Sequence, residues 1–153
     1  MNVRLANSGD ISAIGSLYQK FYDYNAKQQP EYYQAVGESG KYPESVINGN
    51  NGDIYVAETS DGIMGFIHVE EEKTAPFPPV VSHKFACIVD LYVEPEHRKI
   101  GIGKALLESV KVWAKDRGME YLELFVLEEN QIGQNFYKRE DFKAASRTLR
   151  YIL

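Results

Sequence analysis

One stretch restricts the possible folds more than any other. Ile88 to Leu107 reads Ile-Val-Asp-Leu-Tyr-Val-Glu-Pro-Glu-His-Arg-Lys-Ile-Gly-Ile-Gly-Lys-Ala-Leu-Leu. It opens on β-branched, aromatic and aliphatic residues, Ile88, Val89, Leu91, Tyr92 and Val93, which suit a strand. Pro95 cannot donate to a ladder, so the strand is predicted to stop near Glu94. Ile102, Ala105, Leu106, Val110, Trp113 and Ala114 recur at helical spacing, so a helix starts just after Gly101 or Gly103. Between strand and helix lie Arg98, Lys99, Gly101, Gly103 and Lys104. A glycine-rich, basic turn that feeds a helix start is suited to an anion. The first N–H groups of the helix lack partners, the dipole adds positive charge, and glycine lets the backbone approach a phosphate.

Spacing separates three phosphate loops. A Walker A loop ends Gly-Lys-Ser/Thr, but Gly103-Lys104 is followed by Ala105, and Arg98 stands where the first glycine belongs. A dinucleotide fingerprint needs a glycine where this chain has Leu106. What remains is Arg98-x-x-Gly101-x-Gly103 behind a strand ending Leu91-x-Val93-x-Pro95. This resembles motif A of the GNAT superfamily of acetyl-CoA-dependent N-acetyltransferases. The resemblance implies that the backbone of Arg98, Lys99, Ile100, Gly101, Ile102, Gly103 and Lys104 holds the pyrophosphate of coenzyme A. It also implies that Leu91, Tyr92 and Val93 pair through their backbone with the pantetheine arm and polarise the thioester.

A chain of 153 residues suits one domain with one core. The net charge of −5 leaves no general footprint for nucleic acid, so the cations near Arg98 form a local patch for one polyanionic ligand. Cys87 is the only cysteine, which excludes a disulfide framework and a cysteine metal cluster. Cys87 is expected to be a buried strand residue in a reducing compartment, not a nucleophile. No signal peptide and no membrane-spanning stretch is read, so the expected location is the cytoplasm, away from membranes.

The predicted order is strand, one or two helices, three strands, helix, strand, helix, strand. Asn2 to Ala6 is a strand, and Ser8 or Asp10 caps a helix whose apolar face is Ile11, Ile14, Leu17, Tyr18 and Phe21. Pro30 ends it. Gly37 and Gly40 loosen the segment that follows, and Pro43 to Ile47 is a short helix. Asp53 to Thr59 and Ile63 to Glu70 form a hairpin through Asp61-Gly62. Thr74 to Val81, proline-rich, is a loop or an irregular hairpin end, and Lys84 to Val93 the next strand. The helix after the glycines stops at Gly118. Tyr121 to Leu127 is a strand, Asn130 starts a helix reaching about Arg139, and Phe142 to Leu153 is closing strand material. This is an α/β (α+β) arrangement: a mixed, mostly antiparallel sheet flanked by helices, in a single domain spanning 1–153.

That order is also the GNAT order, and a second motif supports it. Asn130-x-x-Gly133-x-x-Phe136-Tyr137, with Phe142 beyond, resembles the family's Asn-x-x-Ala-x-x-Phe-Tyr…Gly-Phe motif B. Gly133 replaces the small alanine and Asp141 the glycine before Phe142. The likeness covers Asn2 to Phe142. It implies that Tyr137 protonates the departing sulfur and that Asn130, also a natural helix cap, contacts the pantetheine arm or its pyrophosphate. In many family members a glutamate stands five residues before the motif asparagine, and here that position is Phe125.

Amine acetylation requires a neutral amine, yet a free alkylamine has a pKa of about 10. With the family glutamate missing, Asp90 is the best substitute base and cation-binding group. Glu70, Glu123, His68 and His83 are weaker candidates. Strict alternation puts Ala86, Ile88, Asp90 and Tyr92 on one face, with Cys87, Val89, Leu91 and Val93 on the other. The rings from Tyr18 to Tyr42, Tyr22 among them, with Asp23, Glu31, Glu38 and Glu44 interspersed, suit either an acceptor wall for a cation or core and homodimer contacts. The resulting expectation is transfer of acetyl from acetyl-CoA, without a metal, to a primary amine of a small molecule or protein. The rival is a non-catalytic CoA-binding sensor with the same fold.

Overall fold

In the computed structural model, which describes residues 1–37 and 41–153, five strands form one sheet in the order β1-β2-β3-β4-β5. They are β1 (Asn2–Leu5), β2 (Gly52–Thr59), β3 (Gly62–Lys73), β4 (Lys84–Val93) and β5 (Leu122–Glu123). The first four are antiparallel neighbours, and β5 joins β4 in parallel. Four helices flank the sheet: α1 (Ile11–Gln28), α2 (Lys41–Ile47), α3 (Ile102–Asp116) and α4 (Gln131–Arg139). Glu38 and Gly40 lie outside the described residues.

Each sheet face has its own apolar cluster. α3 sets Ile102, Leu106, Leu107, Val110 and Trp113 against Ile67, Val69, Ala86 and Ile88. α1 and α2 set Ile14, Leu17, Tyr18 and Val46 against Ile54, Val56, Phe66 and Tyr92. A fully buried side chain of this kind contributes about 1.5–3 kcal/mol, so the two layers supply the main stabilisation. Both long helices stop where their sequences require it. α1 ends before Pro30, and α3 ends at Gly118 with φ 68°.

Three local expectations are corrected. Asp10 stands at the N-cap position of α1 as expected but makes no side-chain cap hydrogen bond there. The side-chain cap is Asn7, on the 3-10 turn Ser8–Asp10 that leads into the helix. The Asn7 side chain accepts from Gly9 N at 2.8 Å, while Asp10 accepts from Asn7 N at 2.8 Å. Asp10 is drawn away from capping α1 because it also binds Arg4 at 2.7 and 2.9 Å. β5 is two residues long, against the expected Tyr121 to Leu127. Phe142 to Leu153 contains no strand at all. Both stretches have strand-forming side chains, but a strand exists only where another backbone completes its ladder.

A fourth correction bears on the site. The β3–β4 register pairs His68 with Asp90 but Val69 with Ile88, so Val89 is an extra, bulged residue. Ala86 and Ile88 therefore face α3, whereas Asp90 and Tyr92 face α1. Cys87, opposite Glu70, comes round to the Asp90 side. A bulge breaks the two-residue period and re-aims everything beyond it.

Candidate active site

The turn between β4 and α3 is built from backbone. Pro95–His97 forms one tight 3-10 turn, Lys99 has φ 65° and Gly101 has φ 94°. Left-handed positions bend successive N–H groups toward a common concavity, and at Gly101 only glycine adopts that angle without strain. None of the N–H groups from Lys99 to Lys104 finds an acceptor among the described residues. Ile100 is exposed, whereas Ile102 is buried and pins the helix start to the sheet. Arg98 does not stand free for an anion: its Nε donates to the Val93 carbonyl at 2.8 Å, and its guanidinium lies 5.6 Å from the rings of both Tyr24 and Tyr92. It locks the end of β4 to the turn.

β4 and β5 pair only at Ala86–Leu122 and Cys87–Glu123. From Ile88 to Val93, β4 has a ladder partner on its β3 side alone. Leu91, Tyr92 and Val93 thus border a gap between two parting strands, next to the open N–H run. A cofactor with a pyrophosphate and an amide-bearing arm fits this pair of features, since one needs clustered N–H donors and the other a free strand edge.

Asp90 lies on the α1 side in a mostly buried polar cluster. His68, fully buried, has Nδ1 3.9 Å from Asp90 Oδ2 and 3.3 Å from the hydroxyls of both Tyr18 and Tyr42. Its Nε2 is 3.0 Å from Glu70 Oε1. With Nε2–H donated to Glu70, Nδ1 is left to accept from a tyrosine. Burial first, and then the Asp90 carboxylate, push the phenols of Tyr18, Tyr42 and Tyr137 well above the usual tyrosine range. The same two causes raise Tyr22. The charge of Asp90 thus acts on phenols of α1, α2 and α4.

Tyr137, half-buried, packs edge-on against Phe136 and Phe142, with ring centroids 5.1 and 5.4 Å away. Asn130 caps α4, accepting from Gly133 N at 2.9 Å and from the Tyr24 hydroxyl at 3.1 Å. Its amide folds so closely over Gly133 that a Cβ there would sit 2.7 Å from Nδ2. Glycine at 133 is thus what this cap conformation needs. Asp141 adopts φ 66°, so the turn into Phe142 keeps the left-handed shape natural to glycine despite the side chain. Phe125, at the position of the family glutamate, is 86% exposed.

The aromatic stretch divides. Tyr18 is core, 4.3 Å from the Phe66 ring, and Tyr22 lies beside it at 5.6 Å. Tyr32 and Tyr33 are exposed. Spacing alone did not expose the Tyr42–His68–Glu70 chain. Its signal was present as alternating His68 and Glu70 on β3, but the partner strand and register were needed to bring Asp90 opposite.

Cys87 is half-buried, and burial followed by Glu72, Glu123, Glu70 and Asp90 raises its thiol to about 11. The thiolate is the reactive form. At pH 8 Cys87 should therefore react with an aromatic disulfide reagent at least about 10-fold more slowly than after unfolding. Equal rates in the two states would remove the acidic, enclosed setting described here.

The sequence model of the Acetyltransferase (GNAT) family matches residues 13–142. An uncharacterized N-acetyltransferase, YhfO of Bacillus subtilis, is 24% identical across 100% of this chain and 97% of its own. Another, from Archaeoglobus fulgidus, is 26% identical over 94% and 93% of the two chains. Among solved structures, a tetramutant of the BH1408 protein from Bacillus halodurans superposes with TM-score 0.93, 19% identity and full coverage of both chains. The aminoglycoside N-acetyltransferase AAC(6')-Iy, solved in complex with CoA, gives TM-score 0.76 at 17% identity over 99% and 98% of the chains.

Proposed function

The chain belongs to the GNAT acetyltransferase family and is an acetyl-CoA-dependent acetyltransferase, and we propose that it moves the acetyl group directly to a primary amine that arrives as a cation. The observation that carries this reading is the gap where β4 parts from β5, opening beside the unpaired N–H run on the stretch of β4 that bears Asp90, whose charge acts on Tyr137. Residues 1–153 act together as one N-acetyltransferase domain, and the lone cysteine suits work in the cytoplasm.

Bound acetyl-CoA would supply the activated thioester. The N–H groups from Lys99 to Lys104 would hold its pyrophosphate, Asn130 its arm, and the free edge of Leu91, Tyr92 and Val93 would align and polarise the carbonyl. Asp90, with Tyr22 beside it, would bind the ammonium and take its proton. His68 and Glu70 would pass that proton outward, because Glu70 is partly exposed. Tyr137 would return a proton to the departing sulfur. Four carboxylates around Cys87 favour a cationic acceptor, a polyamine or a lysine-like amine on a small molecule or a protein.

Thermal unfolding with and without acetyl-CoA tests the cofactor seat. Acetyl-CoA at about 100 times its dissociation constant should raise Tm by roughly 5–10 °C, and NAD or ATP much less. Gly103→Asp should abolish the shift by bringing a negative charge to the phosphate. Gly103→Ala should keep the fold, since its Cβ would meet only the Phe136 ring, at 3.4 Å. No shift with acetyl-CoA, or an equal one with NAD, would remove the seat from the turn. Thiol release across a panel of amines then identifies the acceptor class, and a preference for neutral nucleophiles over cationic ones would overturn the cationic assignment.

A further inference from the structure

Position along α1 decides what each of its rings can reach. Tyr18 and Tyr22 are one turn apart, and the charge of Asp90 acts on both. Lys20 and Tyr24, also one turn apart, lie on another face and reach the end of β4 instead. Lys20 pairs with Glu94, and the Tyr24 ring lies 5.6 Å from the Arg98 guanidinium. The Tyr24 hydroxyl donates to Asn130 Oδ1 at 3.1 Å. Asn130 caps α4, whose Phe136 packs into the apolar cluster on the α3 face of the sheet, whereas α1 belongs to the cluster on the opposite face. One side chain thus ties a helix of one face to a helix of the other, past the stretch of β4 that β5 leaves uncovered.

That bond settles which end of the Asn130 amide is available. Oδ1 accepts from Gly133 N at 2.9 Å as well as from Tyr24. Two donors on one oxygen fill its lone pairs and fix the orientation of the amide. Nδ2 carries two N–H donors and gives them to none of the described residues. It lies over Gly133, where a Cβ would come within 2.7 Å of it. The cap bond alone leaves the side chain free to swing into water. A second donor, on a ring already packed against Arg98, removes that freedom before any ligand arrives.

We propose that Tyr24 is a positioning residue for acetyl-CoA that acts through Asn130: its hydroxyl holds the amide so that Nδ2 is presented to a carbonyl of the cofactor arm. The inference rests on the reading that Asn130 holds that arm. The arm carries amide carbonyls, which are the acceptors that an outward N–H pair lacks. Ordering the amide beforehand lowers the entropy lost on binding, so the gain falls on affinity for the arm and not on the pyrophosphate seat.

Titration calorimetry on the full chain tests this with two ligands: coenzyme A, and 3′-phospho-ADP, its nucleotide half without the arm. Tyr24→Phe keeps the ring on Arg98 and deletes only the O–H. It should raise the dissociation constant of coenzyme A by about 3–10-fold, the worth of one hydrogen bond, and leave that of 3′-phospho-ADP within about 2-fold. Asn130→Ser keeps a capping oxygen but removes the amide, and should weaken coenzyme A by at least as much. In the Asn130→Ser background Tyr24→Phe should have no further effect, because the group it acts through is gone. Equal weakening of both ligands by Tyr24→Phe, unchanged coenzyme A binding, or an undiminished effect in the Asn130→Ser background would each overturn the positioning role. Those results would leave the cofactor seat standing, whereas failure of the unaltered chain to bind coenzyme A would remove the seat and the role of Tyr24 together.

Discussion

Tyr137→Phe should lower thiol release by about 10²–10⁴-fold while leaving acetyl-CoA affinity nearly unchanged, the usual span for loss of a general acid or base. The substitution deletes one O–H and keeps the ring that packs on Phe136 and Phe142. α4, its Asn130 cap and the N–H run before α3 are untouched, so the thermal shift with acetyl-CoA should persist. A free thiol has a pKa of about 8.5, so a phenol near 10 is a weak donor to a thiolate in water. An enclosed cleft reduces that disadvantage, because burial disfavours the thiolate as well as the phenolate. Burial and the Asp90 charge hold the Tyr137 phenol above its ordinary range, so it is a donor at every pH up to at least about 10. Wild-type turnover should therefore show no alkaline decline below that pH from loss of this proton. Unchanged release by the Phe variant would leave Tyr137 as a packing residue.

Asp90→Asn should lower kcat/KM for the amine by about 10²-fold at pH 7, with little change in the acetyl-CoA thermal shift. The amide keeps the shape of the carboxylate beside His68 but neither attracts an ammonium nor takes its proton. The pH dependence separates this role from a structural one. A free alkylamine loses its proton by itself near pH 10, so the deficit of the Asn variant should shrink as pH rises from 7 toward 10. Glu70→Gln lies at the exposed end of the same chain of groups and should show a smaller, parallel effect. A deficit that stays constant with pH, or a loss of acetyl-CoA binding, would make Asp90 a structural residue of the His68 cluster.

Several features of this site were legible before any strand was paired. Residues 88–107 announce a strand, a glycine turn and a helix start through side-chain period, a proline and two glycines. Asn130, Gly133 and Phe136-Tyr137 announce a capped helix. Even Asp141, unusual where glycine is common, left the turn intact, because an aspartate tolerates the left-handed conformation better than most residues. Other features were closed to such reading. The Thr74–His83 connection is long and proline-rich, so nothing local specifies which residue of β3 faces which residue of β4.

The sequence by itself therefore determined the order of elements as far as α4, the C-terminal ends of both long helices and the glycine turn before α3, since each rests on neighbours within a few turns of chain, while the likeness to family motifs marked Tyr137 as a candidate. Tertiary structure alone decided that Val89 bulges, that Cys87 joins the Asp90 face, and that His68, Tyr18, Tyr42 and Glu70 form a chain beside the carboxylate. It also decided that 124–127 and 143–153 stay unpaired despite side chains suited to strands. The reason is common to all of these. A strand's face and partner depend on hydrogen bonds to a distant backbone, whereas a cap, a glycine turn or a helical stripe is satisfied by residues close by.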